Sequence, residues 1–293
     1  MKLSFHGPVP IQEDLRERLK WGLGGRPAYE VYGLGHVCLE DEDYREFIRT
    51  QGRDHSLILD NGADELGESM DPAMFRELID ELSPSVVVLP DKLKDWDATR
   101  EMSELFFFQN QPGLPQVTWM GVAQGETEEE FTHAFRYWLG RPGVQVIGVP
   151  YDFDFEVEGQ DARLTEDNFT RNQIRAHRRH QWLVKIHSVA GQEIHERGKK
   201  IHLLGANCPS ELTRIGKSLG QAKTIRSHDT TMPIAAGYHD RLFLEQQVSG
   251  VDSYVLMGDK DWPPIPHEME VTPDLVERVG ELATEYMTAC RYF

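Results

Sequence analysis

Lys200-Ile-His-Leu-Leu-Gly-Ala-Asn-Cys-Pro-Ser-Glu-Leu-Thr-Arg-Ile-Gly-Lys217, followed by Ile225-Arg-Ser-His-Asp229-Thr-Thr-Met-Pro233, is the stretch on which the fold turns. An apolar run of strand length stops at Gly205, and a loop closes with Pro209 and Ser210. An amphipathic helix follows, and a second short strand ends in a carboxylate. This is a βαβ unit, and parallel α/β folds gather their chemistry at the carboxyl ends of the strands. Asp229 is therefore the candidate nucleophile.

The same alternation continues in both directions. Strands are expected at 29–38, 56–63, 85–91, 116–124, 144–150, 200–204, 223–227 and 252–257. Helices are expected at 41–50, at 74–82 after Asp71-Pro72, at 95–109, after Thr127, at 168–183 and from Pro273 to about Tyr286. Pro in a first helical turn costs no hydrogen bond, and a Thr side chain caps free amides. Residues 1–27 read as a lead-in with a short helical pattern, and 28–293 as one catalytic domain containing a basic helical segment at 168–200. Nearly eight repeats of strand and helix imply a parallel βα array. Polar residues end several strands and do not cluster at one switch point, which favours an α/β fold of the closed (β/α)8 TIM type over an open doubly wound sheet.

The chain has 293 residues, 39% of them hydrophobic, with no apolar run near the roughly 20 residues of a membrane span. The early Pro and charge after Met1 do not resemble a signal peptide, so the expectation is a cytoplasmic protein, in the host cytoplasm if phage-encoded, with no membrane partner. Cys38, Cys208 and Cys290 show no paired spacing, and the five histidines from His177 to His202 match no ligand set, so neither metal nor cofactor is indicated. The net charge is −18, but residues 168–228 hold twelve Lys/Arg against three acids. Arg171, Arg175, Arg178 and Arg179 recur at helical spacing, a face that can grip phosphates or be paired with acids from elsewhere in the chain. GxGxxG, GxxxxGK[ST], HExxH and GxSxG patterns are absent.

Lining up the strand ends gives Asp60, Asp91, Gln124, Gly148 and Asp229. Two carboxylates on opposite sides of a pocket suit glycosidic exchange: one attacks the anomeric carbon and the other moves the proton of the leaving and incoming groups. Asp91 and Gln124 offer an acceptor pair and an amide to the edge of a planar heterocycle, and Gly148 leaves backbone open to a ring.

The segments Leu59-Asp60-Asn-Gly-Ala, Val88-Leu-Pro-Asp91, Met120-Gly-Val-Ala-Gln124-Gly, Val146-Ile-Gly148-Val and His202-Leu-Leu-Gly-Ala-Asn-Cys-Pro-Ser-Glu-Leu, with His228-Asp229-Thr-Thr, resemble the ordered active-site segments of the tRNA-guanine transglycosylase (queuine tRNA-ribosyltransferase) family. The resemblance spans residues 56–231. It implies a (β/α)8 barrel that exchanges guanine for a 7-deazaguanine through a covalent glycosyl-enzyme. Carried over, Asp229 is the nucleophile, Asp60 the general acid/base, and Asp91, Gln124 and Gly148 bind the base, with Leu204 and Gly205 shaping its pocket.

The chain departs from the tRNA enzymes as well. Their zinc site would have only Cys290, His239 and His267 to draw on here, so the zinc-binding subdomain is expected to be missing, and Asp60-Asn-Gly-Ala replaces Asp-Ser-Gly. The compact chain is similar to the DNA-modifying branch found in phages and genomic islands. The implied partners are DNA, with tRNA as the alternative, and a 7-deazaguanine such as preQ0 or preQ1. A non-catalytic nucleic-acid-binding subunit is the remaining alternative.

Overall fold

The computed structural model describes residues 2–5, 9–19, 30–159, 169–206, 209–220, 223–230, 243–245, 254–256 and 271–289. The chain divides into two compact units, Glu30–Pro150 with Ala190–Leu204, and Met1–Tyr29 with Tyr151–Val189 and Gly205–Phe293.

The first of these is built on six parallel strands: β2 (Val31–Leu34), β3 (Leu57–Asp60), β4 (Val86–Val88), β5 (Thr118–Val122), β6 (Val144–Val149) and β7 (Lys200–Leu203). Each pairs with the next in sequence, without a reversal. A doubly wound sheet reverses its order at the switch point, whereas a barrel does not. Their short apolar runs carry Val, Ile and Leu on both faces, as strands covered by helices require. The helices between them include α2 (Gly35–Glu40), α3 (Glu42–Asp54), α4 (Ala63–Leu66), α5 (Pro72–Leu82), α6 (Trp96–Asn110) and α7 (Glu128–Gly140). Asp41, Asp71, Asp95 and Thr127 cap α3, α5, α6 and α7 by accepting from first-turn amides.

One face of this sheet holds Tyr32, Ile58, Val86, Val88, Met120, Val122 and Val146 in a single apolar cluster. Tyr32 of β2 stacks on His202 of β7, ring centroids 6.1 Å apart and 22° from parallel. β2 and β7 are the outermost of six strands. With neighbours about 4.8 Å apart, their side chains meet only because the sheet curls on itself. The outer face is sealed by α7, whose Trp138 donates Nε1–H to Val122 O at 2.9 Å and occupies the space a Cβ on Gly121 would need.

In the other unit β1 (Lys2–Phe5) pairs in parallel with β8 (Ile225–Thr230), setting Ser4 beside Asp229. Residues 1–27 therefore supply a strand and α1 (Val9–Leu19), which corrects their reading as a lead-in. First strand beside last is the closure relation of a (β/α)8 barrel. The strand expected at 252–257 has a different role: β9 (Phe243–Glu245) and β10 (Tyr254–Leu256) form a separate antiparallel pair. Among the described residues the parallel strands are thus β1 to β8, and the fold is α/β with barrel-type strand order. This unit also contains the start of α8 (Arg171–Glu196), together with α9 (Pro209–Leu219) and α10 (Pro273–Ala289).

Two further expectations change. The first expected strand stops at Leu34, and α2 begins at once with Gly35. The basic helix continues past residue 183 to Glu196. Among the described residues no helix is long and apolar enough to cross a membrane. His239, His267, Cys208 and Cys290 lie outside the described residues.

Candidate active site

Asp60, Asp91, Gln124, Gly148 and Leu204 lie at or just beyond the carboxyl ends of five neighbouring strands, β3 to β7. Strand periodicity puts Asp60 on the face of Ile58, Gly148 on that of Val146 and Leu204 on that of His202. Asp60 and four of the expected base-site residues, Asp91, Gln124, Gly148 and Leu204, are therefore brought to one rim within this unit, while Gly205 belongs to the other.

The partly exposed Asp60 is gripped from two sides. Tyr32 donates its hydroxyl to Asp60 Oδ2 at 2.6 Å, and Gly62 N–H reaches Oδ1 at 3.3 Å. Gly62 has φ +77, the left-handed region that the Asn61-Gly62 turn supplies. The Asx-turn geometry and the exposed carboxylate coexist here.

Asp91 is 4% exposed and accepts from Asn61 Nδ2 at 2.8 Å on Oδ1 and from Gln124 Nε2 at 2.8 Å on Oδ2. Both amides are oriented by backbone donors: Ala63 N–H to Asn61 Oδ1 and Lys94 N–H to Gln124 Oε1. With their oxygens occupied, both NH2 groups face Asp91. Burial pushes the Asp91 carboxyl up to about 7; the two amides oppose this and the Asp60 charge adds to it. The neighbouring Lys92 faces Glu68 and Asp95. Asp91 and Gln124 bond one another, which leaves a ligand the remaining lone pairs of a twice-bonded carboxylate.

Gly148 is less open than its sequence suggests. Its carbonyl accepts Ala123 N–H at 3.0 Å, and a Cβ there would sit 3.1 Å from Leu204 Cδ1. Leu204 is the side chain that covers it.

In the other unit, Asp229 is 3% exposed within β8. Gly205 N–H donates to its Oδ2 at 3.0 Å and Ala206 N–H to its carbonyl at 2.8 Å. Gly205 has φ +62, and a Cβ would meet Tyr151 Cδ1 at 2.6 Å, so glycine is needed both for the backbone and for the space. Asp229 and Gly205 thus form one local assembly.

The basic helix differs most from expectation. Arg171 and Arg175 both grip the Asp154 carboxylate, Arg175 adds Asp152, and Arg178 donates to Asp154 O at 2.6 Å. Arg179 is 1% exposed and holds Glu211. It is not available to a phosphate. Burial, with Arg214 and His177 adding to it, pulls His180 down to about 4, so it carries no charge near neutral pH. The acid-paired reading describes this face better than an open row of four guanidinium groups. Phe106 and Phe107 are buried in the core, whereas Phe108 is 77% exposed.

The sequence reading missed Tyr32, Asn61 and His202. Asn61 adjoins Asp60 in a turn signal, but nothing local marks a strand tyrosine as the partner of a carboxylate 28 residues away.

No protein-family model matches the chain, and no curated protein is detectably similar. Among solved structures it is similar to a mandelate racemase/muconate lactonizing enzyme from Roseiflexus sp., at 13% identity and TM-score 0.45, covering 80% of this chain and 56% of that one. It is also similar to an L-Ala-D/L-Glu epimerase, at 13% identity and TM-score 0.39, covering 78% of this chain and 55% of that one. The chain thus spans little more than half the length of these structures.

Proposed function

We propose that this chain is a nucleic-acid guanine transglycosylase that exchanges guanine in DNA for a 7-deazaguanine base. An Asp229 carboxylate oxygen attacks C1′ of the target nucleotide while the C1′–N9 bond breaks, and Asp60 supplies the proton that leaves with guanine. The incoming base then gives its N9 proton to Asp60, bonds C1′ and releases Asp229. A carboxylate at bonding distance stabilises the glycosyl cation, and a second carboxylate moves the proton. Asp91 and Gln124 bind the heterocycle edge, and Leu204 and Gly205 bound its pocket.

The observation that carries the proposal is the shared rim: Asp60 on β3, Asp91 after β4 and Gln124 after β5, with Asp91 bonded directly to Gln124 and to Asn61 beside Asp60. These are the ordered segments on which the sequence resemblance rests. Deep burial, with the nearby Asp60 charge adding to it, also perturbs Asp91, as is common where chemistry is done. Of the basic face, Arg171, paired with Asp154 yet 53% exposed, is the residue proposed to meet backbone phosphates.

The test is incorporation of radiolabelled guanine or a deazaguanine into DNA and tRNA, with Asp229→Asn as control. Incorporation into DNA, lowered by at least about three orders of magnitude in the variant, is the expected result. Incorporation into tRNA alone reassigns the polymer, and none into either polymer by the wild-type protein ends the proposal.

A further inference from the structure

We propose that Tyr32 is the positioning residue of Asp60, holding its carboxylate in the orientation needed to move the base proton. This rests on the transglycosylase reading of Asp60 and adds a residue to that site. The motivating geometry lies within one unit. Leu34 of β2 pairs with Asp60 of β3, so Tyr32, two residues earlier on the same face, is the diagonal neighbour of Asp60. With strands about 4.8 Å apart and two residues of rise, such a diagonal is roughly 8 Å, a gap that a phenol ring spans and a shorter side chain does not.

The ring itself has no freedom. It is 1% exposed, packed among Ile58, Val86, Met120 and Val122, and stacked on the fully buried His202. A hydroxyl at the end of such a ring cannot swing away, and burying it needs a partner. That partner is Asp60 Oδ2, at 2.6 Å, the short distance expected of a charge-assisted bond. Gly62 N–H holds Oδ1, so the two contacts together fix both the position and the plane of a carboxylate that is itself partly exposed. Orientation of this kind matters because a misplaced proton-transfer group loses rate without losing substrate affinity.

The test uses the whole chain and Tyr32→Phe, which keeps the ring and its stack and removes only the O–H. In steady-state exchange, kcat is expected to fall by about tenfold or more with KM changed by less than about twofold. A substitution that merely loosened the fold would not separate the two constants in this way. In parallel, the 13C resonance of the Asp60 carboxyl is compared at one fixed pH in wild-type and Tyr32→Phe protein carrying 13C-labelled aspartate, assigned with Asp60→Asn. Loss of the O–H donated to Oδ2 is expected to shift that resonance while the other aspartates stay in place. An unmoved resonance overturns the proposal whatever the activity, and a moved resonance with unchanged kcat overturns it too. Failure of the wild-type protein to exchange any base would be failure of the transglycosylase reading, recognisable as such because the resonance comparison still decides whether Tyr32 holds Asp60.

Discussion

Arg179 and Glu211 form a two-pronged ion pair, Nε to Oε1 at 2.6 Å and the terminal nitrogen to Oε2 at 2.7 Å, with both side chains 1% exposed. It ties α8 to the first turn of α9, within the unit that contains Gly205 and Asp229. Removing one partner strands the other charge away from water. Arg179→Met is therefore expected to lower stability by about 3–5 kcal/mol, while the double change Arg179→Met with Glu211→Leu recovers much of the loss. Urea unfolding of the three proteins measures this, and a single variant as stable as wild type would contradict it.

Asp91 links the site to pH. Its carboxyl sits at about 7 in the fold against an ordinary 3.8, so between those values the folded chain keeps a proton that the unfolded chain releases. Its contribution to stability is present below about pH 4 and is lost as pH rises through about 7. Stability is expected to fall across this window with a slope of up to about 1.4 kcal/mol per pH unit from this group, and Asp91→Asn flattens it. Urea midpoints taken from pH 4.5 to 7.5 for both proteins provide the check; parallel curves would refute the assignment.

The arginine face separates into two kinds of residue. Arg175, 12% exposed, bridges Asp152 and Asp154 and lies over the Tyr151 ring, whereas Arg171 is 53% exposed. Arg175→Ala is expected to cost about 2 kcal/mol or more in stability, and Arg171→Ala less than about 1 kcal/mol. Arg171→Glu is expected to weaken polymer binding and lower the salt slope by about one, with affinity for the free base unchanged. Thermal melts and salt-dependent binding to a DNA duplex distinguish the two, and equal loss of polymer and free-base binding would refute the division.

Capping residues, strand periodicity and turn chemistry were legible because they act over a few residues: Asp71-Pro72 starts α5 and Thr127 starts α7 as read. The strand ends carrying Asp60, Asp91, Gln124 and Gly148 were legible for the same reason. The run at 252–257 suggests an eighth parallel strand because an apolar run looks alike whether it pairs in parallel or antiparallel in a hairpin. Lys2–Phe5 gives no such signal because four residues at the start of the chain carry too little periodicity to read.

By itself, then, the sequence determined the alternation of strands and helices, their caps, and the acids and amides that end the strands, since local backbone preference settles these. Tertiary structure decided which groups are spent on one another. It gave Arg179 to Glu211, Arg171 and Arg175 to Asp154, Asn61 and Gln124 to Asp91, and Tyr32 to Asp60. These partners lie 17 to 33 residues apart in sequence. A charge count or a helical spacing records that a group exists, but only the fold fixes the distance and the burial that set what it is bonded to.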